Sequence, residues 1–198
     1  MKTARFVVPA LALAGGLLLL SCKNQPASAQ DSRPAEHHPE HVNAWKAVTK
    51  AVCVIQPTQG NEAHGIVRFE QMGEQVKITA DIEGLKPGSK HGFHIHQWGD
   101  VSDPKGKATG GHYNPEGHAH AGPGKGMRHA GDLGNIVADA QGKAHLELTV
   151  DNISVAGLKN PIVGRGMIVH AGEDDLKSQP TGAAGARIGQ GVIGIAKP

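Results

Sequence analysis

Cysteine is nearly missing from this chain, with only Cys22 and Cys53 among 198 residues. Cys22 closes an N-terminal apolar run and is expected to be consumed by lipid, which leaves Cys53 alone and excludes a disulfide within a folded domain. A block of one charge is missing too. The formal net charge is +2 and no Lys or Arg cluster stands out, so a nucleic-acid partner is not expected. There is no G-x-x-x-x-G-K phosphate loop. Aromatic residues make up only 3% of the chain, whereas glycine occurs 28 times. Many glycines among short runs bearing Val and Ile argue for an all-β fold with numerous turns.

Long apolar runs are also scarce. The one at Phe6–Leu20 follows Met-Lys-Thr-Ala-Arg and precedes Ser21-Cys22. It falls short of the roughly 20 apolar residues of a membrane span and reads as a secretory signal over residues 1–21. The ending LLSC resembles a bacterial lipoprotein signal, with Cys22 as the lipidated mature N-terminus. Residues 22–46 are rich in Pro, Ala, Ser, Gln and Glu and read as a disordered tether. HHPEH at 37–41 lies within it. These features place the protein in the cell envelope outside the cytoplasm, in the periplasm or at the outer membrane or surface, held by a lipid anchor.

Residues 47–198 are long enough for one domain with a substantial core. Val76, Ile78, Ala80 and Ile82 alternate with Lys77, Thr79, Asp81 and Glu83, and Leu146, Leu148 and Val150 alternate with Glu147 and Thr149. Such alternation predicts half-buried strands. Turn signals at LKPG (85–88) and AQGK (140–143) separate such runs, as in an antiparallel sandwich or barrel. Two long Gly-rich segments, about 97–135 and 171–190, stand apart and need something to order them.

Histidine is what the chain has in abundance. HGFHIH at 91–96 places His94 and His96 on one face of a strand and Phe93 and Ile95 on the other. Imidazoles that leave water need partners, and a metal ion is one. The first long segment holds His112, His118, His120 and His129, followed by Asp132. Spacings of eight, nine and three from His112 through His120 and His129 to Asp132 suit a loop wrapped around an ion. Three imidazoles and a carboxylate with no open position describe a structural zinc site. His170 ends the apolar run PIVGRGMIV, where it can meet His94 and His96, and a roughly planar set of imidazoles suits copper.

With HGFHIH, GGHYNPEGHAHAGP, RHAGDLGN, VGRGMIVHAGEDDL and GARIGQGVIGIA in hand, together with AVCVIQ and GIVRFEQ near the start, the chain resembles the copper-zinc superoxide dismutase family. The resemblance implies an eight-stranded flattened Greek-key β-barrel or sandwich with two long functional loops. It implies copper held by His94, His96, His112 and His170, zinc held by His112, His120, His129 and Asp132, and His112 as the bridge. Asp174 matches the carboxylate that links a copper imidazole to a zinc imidazole, and Arg187 matches the arginine that receives the superoxide anion. Arg187 and His112 would then be the catalytic residues. His91 is expected to bond backbone, and His118 to lie on the surface.

The resemblance also implies a homodimer, through Val52, Val54, Gly99, Val163, Gly164, Val192 and Ile195. Two departures stand out. Gln190 occupies the place of one half of the family's usual loop disulfide, which this chain cannot form. The segment Asp175–Arg187 is short and carries only Lys177 between its ends, so anion steering is expected to rest mainly on Arg187. The other reading of the chain is a non-catalytic copper/zinc-binding surface lipoprotein. Such a protein would be expected to lack a copper ligand or Arg187, and this sequence lacks neither.

Overall fold

A computed structural model describes residues 44–198, so the segment read as a signal peptide, Cys22, HHPEH and most of the segment read as a tether lie outside the described residues. After a single 3-10 turn at Ala44–Ala47 come eight strands: β1 (Lys50–Pro57), β2 (His64–Met72), β3 (Gln75–Glu83), β4 (Lys90–His96), β5 (Asp132–Val137), β6 (Ala144–Val150), β7 (Gly166–His170) and β8 (Arg187–Ile195). Every strand pairing is antiparallel, in the order β5-β4-β7-β8-β1-β2-β3-β6. The edge strands β5 and β6 approach each other, so the sheet curls into a nearly closed barrel. Pairings between β1 and β8, β3 and β6, and β4 and β7 join strands distant in sequence, which is the Greek-key crossing expected from the sequence. Among the described residues no helix is long and apolar enough to cross a membrane.

The strand alternation translates directly into burial. On β3, Val76, Ile78, Ala80 and Ile82 all point into the barrel and are essentially inaccessible. They meet Val67 and Phe69 of β2 and Phe93 and Ile95 of β4 in one core. Each fully buried Val, Ile or Phe among them contributes about 1.5–3 kcal/mol relative to exposure. Cys53 belongs to this core, and burial pushes its thiol pKa up to about 12, which makes it an inert packing residue.

On β4 all of His91–His96 is buried. Phe93 and Ile95 fill the barrel, and the histidines on the opposite face are covered by the connections β4–β5 and β7–β8. Both connections are shorter than the sequence suggested, because Asp132–Asn135 belongs to β5 and Arg187–Gln190 to β8. Glycines within DLGNIV and RIGQGVIGI dilute the period-2 pattern, and pairing with β4 and β7 makes them strands all the same.

Candidate metal centre

His94 and His96 leave β4 on one face, His170 ends β7, and His112 is brought to them by an isolated bridge between His96 and His112. One donor atom from each of these four residues lies within 4.8 Å of the other three. A second set, His112, His120, His129 and Asp132, meets the same distance limit and shares His112 with the first. The two sets are those the sequence predicted.

Each ring is turned by a hydrogen bond at one nitrogen. His94 Nε2 faces Asp174 Oδ2 at 2.8 Å, His96 Nδ1 donates to the Gly110 carbonyl at 2.9 Å, and His170 Nδ1 donates to the Gly185 carbonyl at 3.1 Å. His112 Nδ1 lies 2.8 Å from Asp132 Oδ1. What remains is four buried nitrogens without a protein partner: Nδ1 of His94 and Nε2 of His96, His112 and His170. Buried polar atoms normally have partners, so four that converge describe a place for a cation. Rings fixed through the second nitrogen are the arrangement by which proteins orient metal-binding histidines.

The second set behaves alike. Nδ1 of His112, His120 and His129 stand 2.8, 3.0 and 3.2 Å from the single oxygen Asp132 Oδ1, yet Nδ1 of His120 and of His129 has no hydrogen bond. Asp132 Oδ2 accepts the backbone N–H groups of Ala121 and His129, which leaves Oδ1 free for the cluster. Three imidazoles and one carboxylate in a closed set suit zinc, and four imidazoles suit copper, so the donors present fit both metals.

Asp174 ties the two sets together. Its Oδ1 lies 2.9 Å from His120 Nε2 while Oδ2 holds His94, and Asn135 clasps its backbone through bonds of 2.7 and 2.9 Å. Room for the carboxylate exists because residue 182 is glycine. A Cβ there would strike Asp174 Oδ1 and stand 2.7 Å from His120 Nε2, and the φ of +67° also disfavours other residues. Gln179 joins the two loops by pairing with both the N–H and the carbonyl of His120, at 2.8 and 2.9 Å.

Burial is the largest influence on the first set. It pushes the His96 pKa well below its ordinary value, that of His112 down to about 4 and that of His170 to about 3. Burial lowers His94 as well, with Asp174 opposing it. These imidazoles are therefore neutral, with lone pairs available, at neutral pH. At His120 burial also pulls downward, but Asp132 and Asp174 outweigh it and raise the pKa to about 9. Although burial works against ionisation of Asp132 and Asp174, their imidazole neighbours hold both well below the usual carboxylate range.

Arg187, the first residue of β8, stands opposite His170 across the β7–β8 ladder. Its guanidinium donates to three neutral oxygens: the Gly106 carbonyl, Thr109 Oγ1 at 3.1 Å and the Gly110 carbonyl at 2.6 Å. It is close enough for its charge to help depress both His96 and His170. The positive charge thus sits beside the four-histidine set with no carboxylate bonded to it, ready to attract an anion.

His91 bonds the His170 carbonyl at 2.7 Å and Ser89 Oγ at 2.6 Å and joins neither set. His118 is half-buried, beside the Arg128 carbonyl and Glu116, and also lies outside both. Sequence reasoning missed Asn135 and Gln179, whose partners are distant in the chain, and it missed two cations. Lys105 and Lys107 line a cavity of about 400 Å³ with Arg187, Thr58, Gln59 and Asn61, and no carboxylate lines it. Arg187 is therefore one of three cations that line this cavity. Both lysines lie in VSDPKGKATG (101–110), whose charges the sequence alone did not tie to Arg187.

A Greek-key barrel that carries two converging donor sets sharing one imidazole defines a dinuclear metalloprotein. Residues 63–193 match the family described as copper/zinc superoxide dismutase (SODC). A protein of Paramecium bursaria Chlorella virus 1 named superoxide dismutase [Cu-Zn] is 48% identical over 156 residues, 76% of this chain and 82% of that protein. An extracellular superoxide dismutase [Cu-Zn] of Brugia pahangi is 38% identical over 175 residues, 82% of this chain and 86% of its own length. The chain belongs to the copper/zinc superoxide dismutase family. It is accordingly a superoxide dismutase that uses copper and zinc.

Proposed function

We propose that His94, His96, His112 and His170 hold copper, that His112, His120, His129 and Asp132 hold zinc, and that Arg187 receives the superoxide anion in an exported, lipid-anchored homodimer. The observation that carries the site assignment is the pair of converging donor sets with partnerless imidazole nitrogens and His112 common to both. Bound copper supplies one-electron redox chemistry, and the overall reaction turns two superoxide ions and two protons into oxygen and hydrogen peroxide.

The protein's own residues supply the rest. The Arg187 guanidinium, fixed by Gly106, Thr109 and Gly110, binds and orients the anion beside the four imidazoles and stabilises it as negative charge builds up. Nε2 of His112, buried and without a hydrogen bond, is the atom suited to carry a proton toward product, while Asp132 steadies Nδ1 of the same ring. Asp174 holds His94 and His120 in place together.

Support for export comes from the basic, apolar and small-residue pattern ending at Cys22 and from the relative named as extracellular. Support for the dimer comes from the β1–β8 surface. Val54, Val192 and Ile195 are 56%, 40% and 63% exposed, and Val52, Gly99 and Gly164 lie outside the core, whereas Val163 is half-buried and packs against it. Gly99 lies against Gly164 and Val192, a small and apolar grouping suited to a two-fold contact. Light scattering that finds only monomer at micromolar concentration would remove the dimer.

The test of the site is metal analysis with kinetics. The loaded protein should carry about one copper and one zinc per chain and show cyanide-sensitive activity. Arg187→Ala should keep both metals and lose roughly ten- to a thousandfold in rate. A protein that takes up only zinc and stays inactive with copper added would reject the assignment.

A further inference from the structure

Segment 103–110, between β4 and β5, pairs with no strand, and Pro104, Lys105 and Lys107 are exposed while Gly106 and Thr109 are buried. Its oxygens nevertheless hold the guanidinium of Arg187 through Gly106, Thr109 and Gly110. The Gly110 carbonyl also accepts from His96 Nδ1, so one peptide group sets Arg187 against His96. Those oxygens position Arg187 only if something other than Arg187 holds them.

The far end of the segment is held by Trp98 N, which donates to the Thr109 carbonyl at 3.0 Å, and by His96. The near end is held by two further outside bonds. Gln59 N donates to the Pro104 carbonyl at 2.7 Å, and Gln190 Nε2 donates to the Asp103 carbonyl at 3.1 Å. Gln190 lies within β8, paired with Gln56 of β1 on one side and Ile168 of β7 on the other, so its backbone is among the best anchored in the barrel. Simple alternation would send residues 187 and 190 to opposite faces. The β7–β8 register shifts between Val169 and His170, where Gly189 and then Arg187 are the partners, and Ile188 is the extra residue of a β-bulge. The bulge turns Arg187 and Gln190 toward the same segment. Gly106 sits between them: a Cβ there would lie 3.3 Å from Arg187 Cδ and 3.4 Å from Gln190 Oε1.

Gln190 is 8% exposed and its Oε1 has no partner. A buried amide whose acceptor is already unsatisfied would add a second penalty if its donor were left unbonded too. The reverse orientation would set Oε1 against the Asp103 carbonyl, acceptor against acceptor, so the donor orientation is the one that bonds.

We propose that Gln190 is a positioning residue for Arg187: its bond to Asp103 fixes segment 103–110, whose oxygens aim the guanidinium. The proposal rests on the reading of Arg187 as the receiver of the anion. In this chain a side-chain hydrogen bond, insensitive to thiol reductants, secures the loop.

The test uses the copper- and zinc-loaded protein with azide as a small monoanion, its affinity followed by optical titration. Trypsin cleavage after Lys105 and Lys107 is followed in parallel. Arg187→Ala should weaken azide tenfold or more. Gln190→Met keeps side-chain length and removes the donor, and it should weaken azide by about two- to tenfold, the range that one neutral hydrogen bond supports. Cleavage after Lys105 and Lys107 should quicken by a similar factor, with cleavage after Lys125 and Lys177 unchanged, which separates loosening of this segment from general destabilisation. Gln190→Leu, of different shape, must repeat the pattern. If Arg187→Ala weakens azide while both Gln190 variants leave azide affinity and cleavage as in the parent, the proposal is overturned. Azide affinity untouched by Arg187→Ala would instead remove the reading of Arg187 on which the proposal stands.

Discussion

The interior of the barrel and the layer lying over β4 are both buried, but they are ordered by different physics. Inside, Phe69, Ile78, Phe93, Ile95 and Met167 leave water altogether, and burial alone is favourable. Above β4, the buried groups are imidazoles, Asp132 and Asp174, whose burial is unfavourable unless their polar atoms find partners. The inner layer is therefore self-sufficient, whereas the outer layer depends on metal, pH and a few long-range hydrogen bonds.

The most severe way to break this contrast is through the inner layer. Phe93→Ala should destabilise the domain by about 3–5 kcal/mol whether or not metal is present, measured by denaturant unfolding. An effect seen only in the loaded protein would mean that the two layers are not separable. Next in size is zinc. Complete zinc depletion, or His120→Ala, should lower stability by about 2–4 kcal/mol, comparable to a native disulfide, and lower the melting temperature by many degrees. A thiol reductant that does not bind metal should leave it unmoved, because among the described residues the one cysteine is free and buried. A melting point indifferent to zinc would sink the idea that metal orders the outer layer.

A gentler probe is pH acting on the metal-free protein. His94, His96, His112 and His170 have folded pKa values below their unfolded ones, so the unfolded chain takes up protons first and stability falls as pH drops below about 6.5. His120 has the opposite sign, since its contribution is complete below about 6.5 and is lost as pH rises through about 9. Denaturant midpoints should fall steeply on the acid side and gently on the alkaline side. A flat acid limb would show that these imidazoles are solvated.

The smallest expected effect concerns the approach of the anion. Neutralising Lys105 and Lys107 together should slow the reaction a few-fold at low salt and hardly at all at high salt, in stopped-flow assays. Equal slowing at both salt concentrations would mean that they act by contact and not by their field.

Much of this was legible in the chain. The alternation of β3 and the placement of HGFHIH depend on neighbours in sequence, which is why the inward residues of β3 and the two faces of β4 could be read directly. Both donor sets were legible as well, through residue types and motifs. The start of β8 was not, because RIGQG lacks the apolar alternation by which a strand announces itself. Nor was the clasp of Asn135 on Asp174, the pair of hydrogen bonds between Gln179 and the His120 backbone, or the place of Lys105 and Lys107. Each joins residues tens of positions apart, and only the folded topology brings them together.

Asp174 also has a consequence for thermodynamics. With one oxygen on His94 and the other on His120, it makes the geometry of either set part of the state of the other. Linkage is reciprocal: if filling the proposed zinc set raises the affinity of the four-histidine set by some factor, filling the latter must raise zinc affinity by the same factor. The pair then titrates cooperatively, and half-loaded molecules are rarer than independent sites would allow.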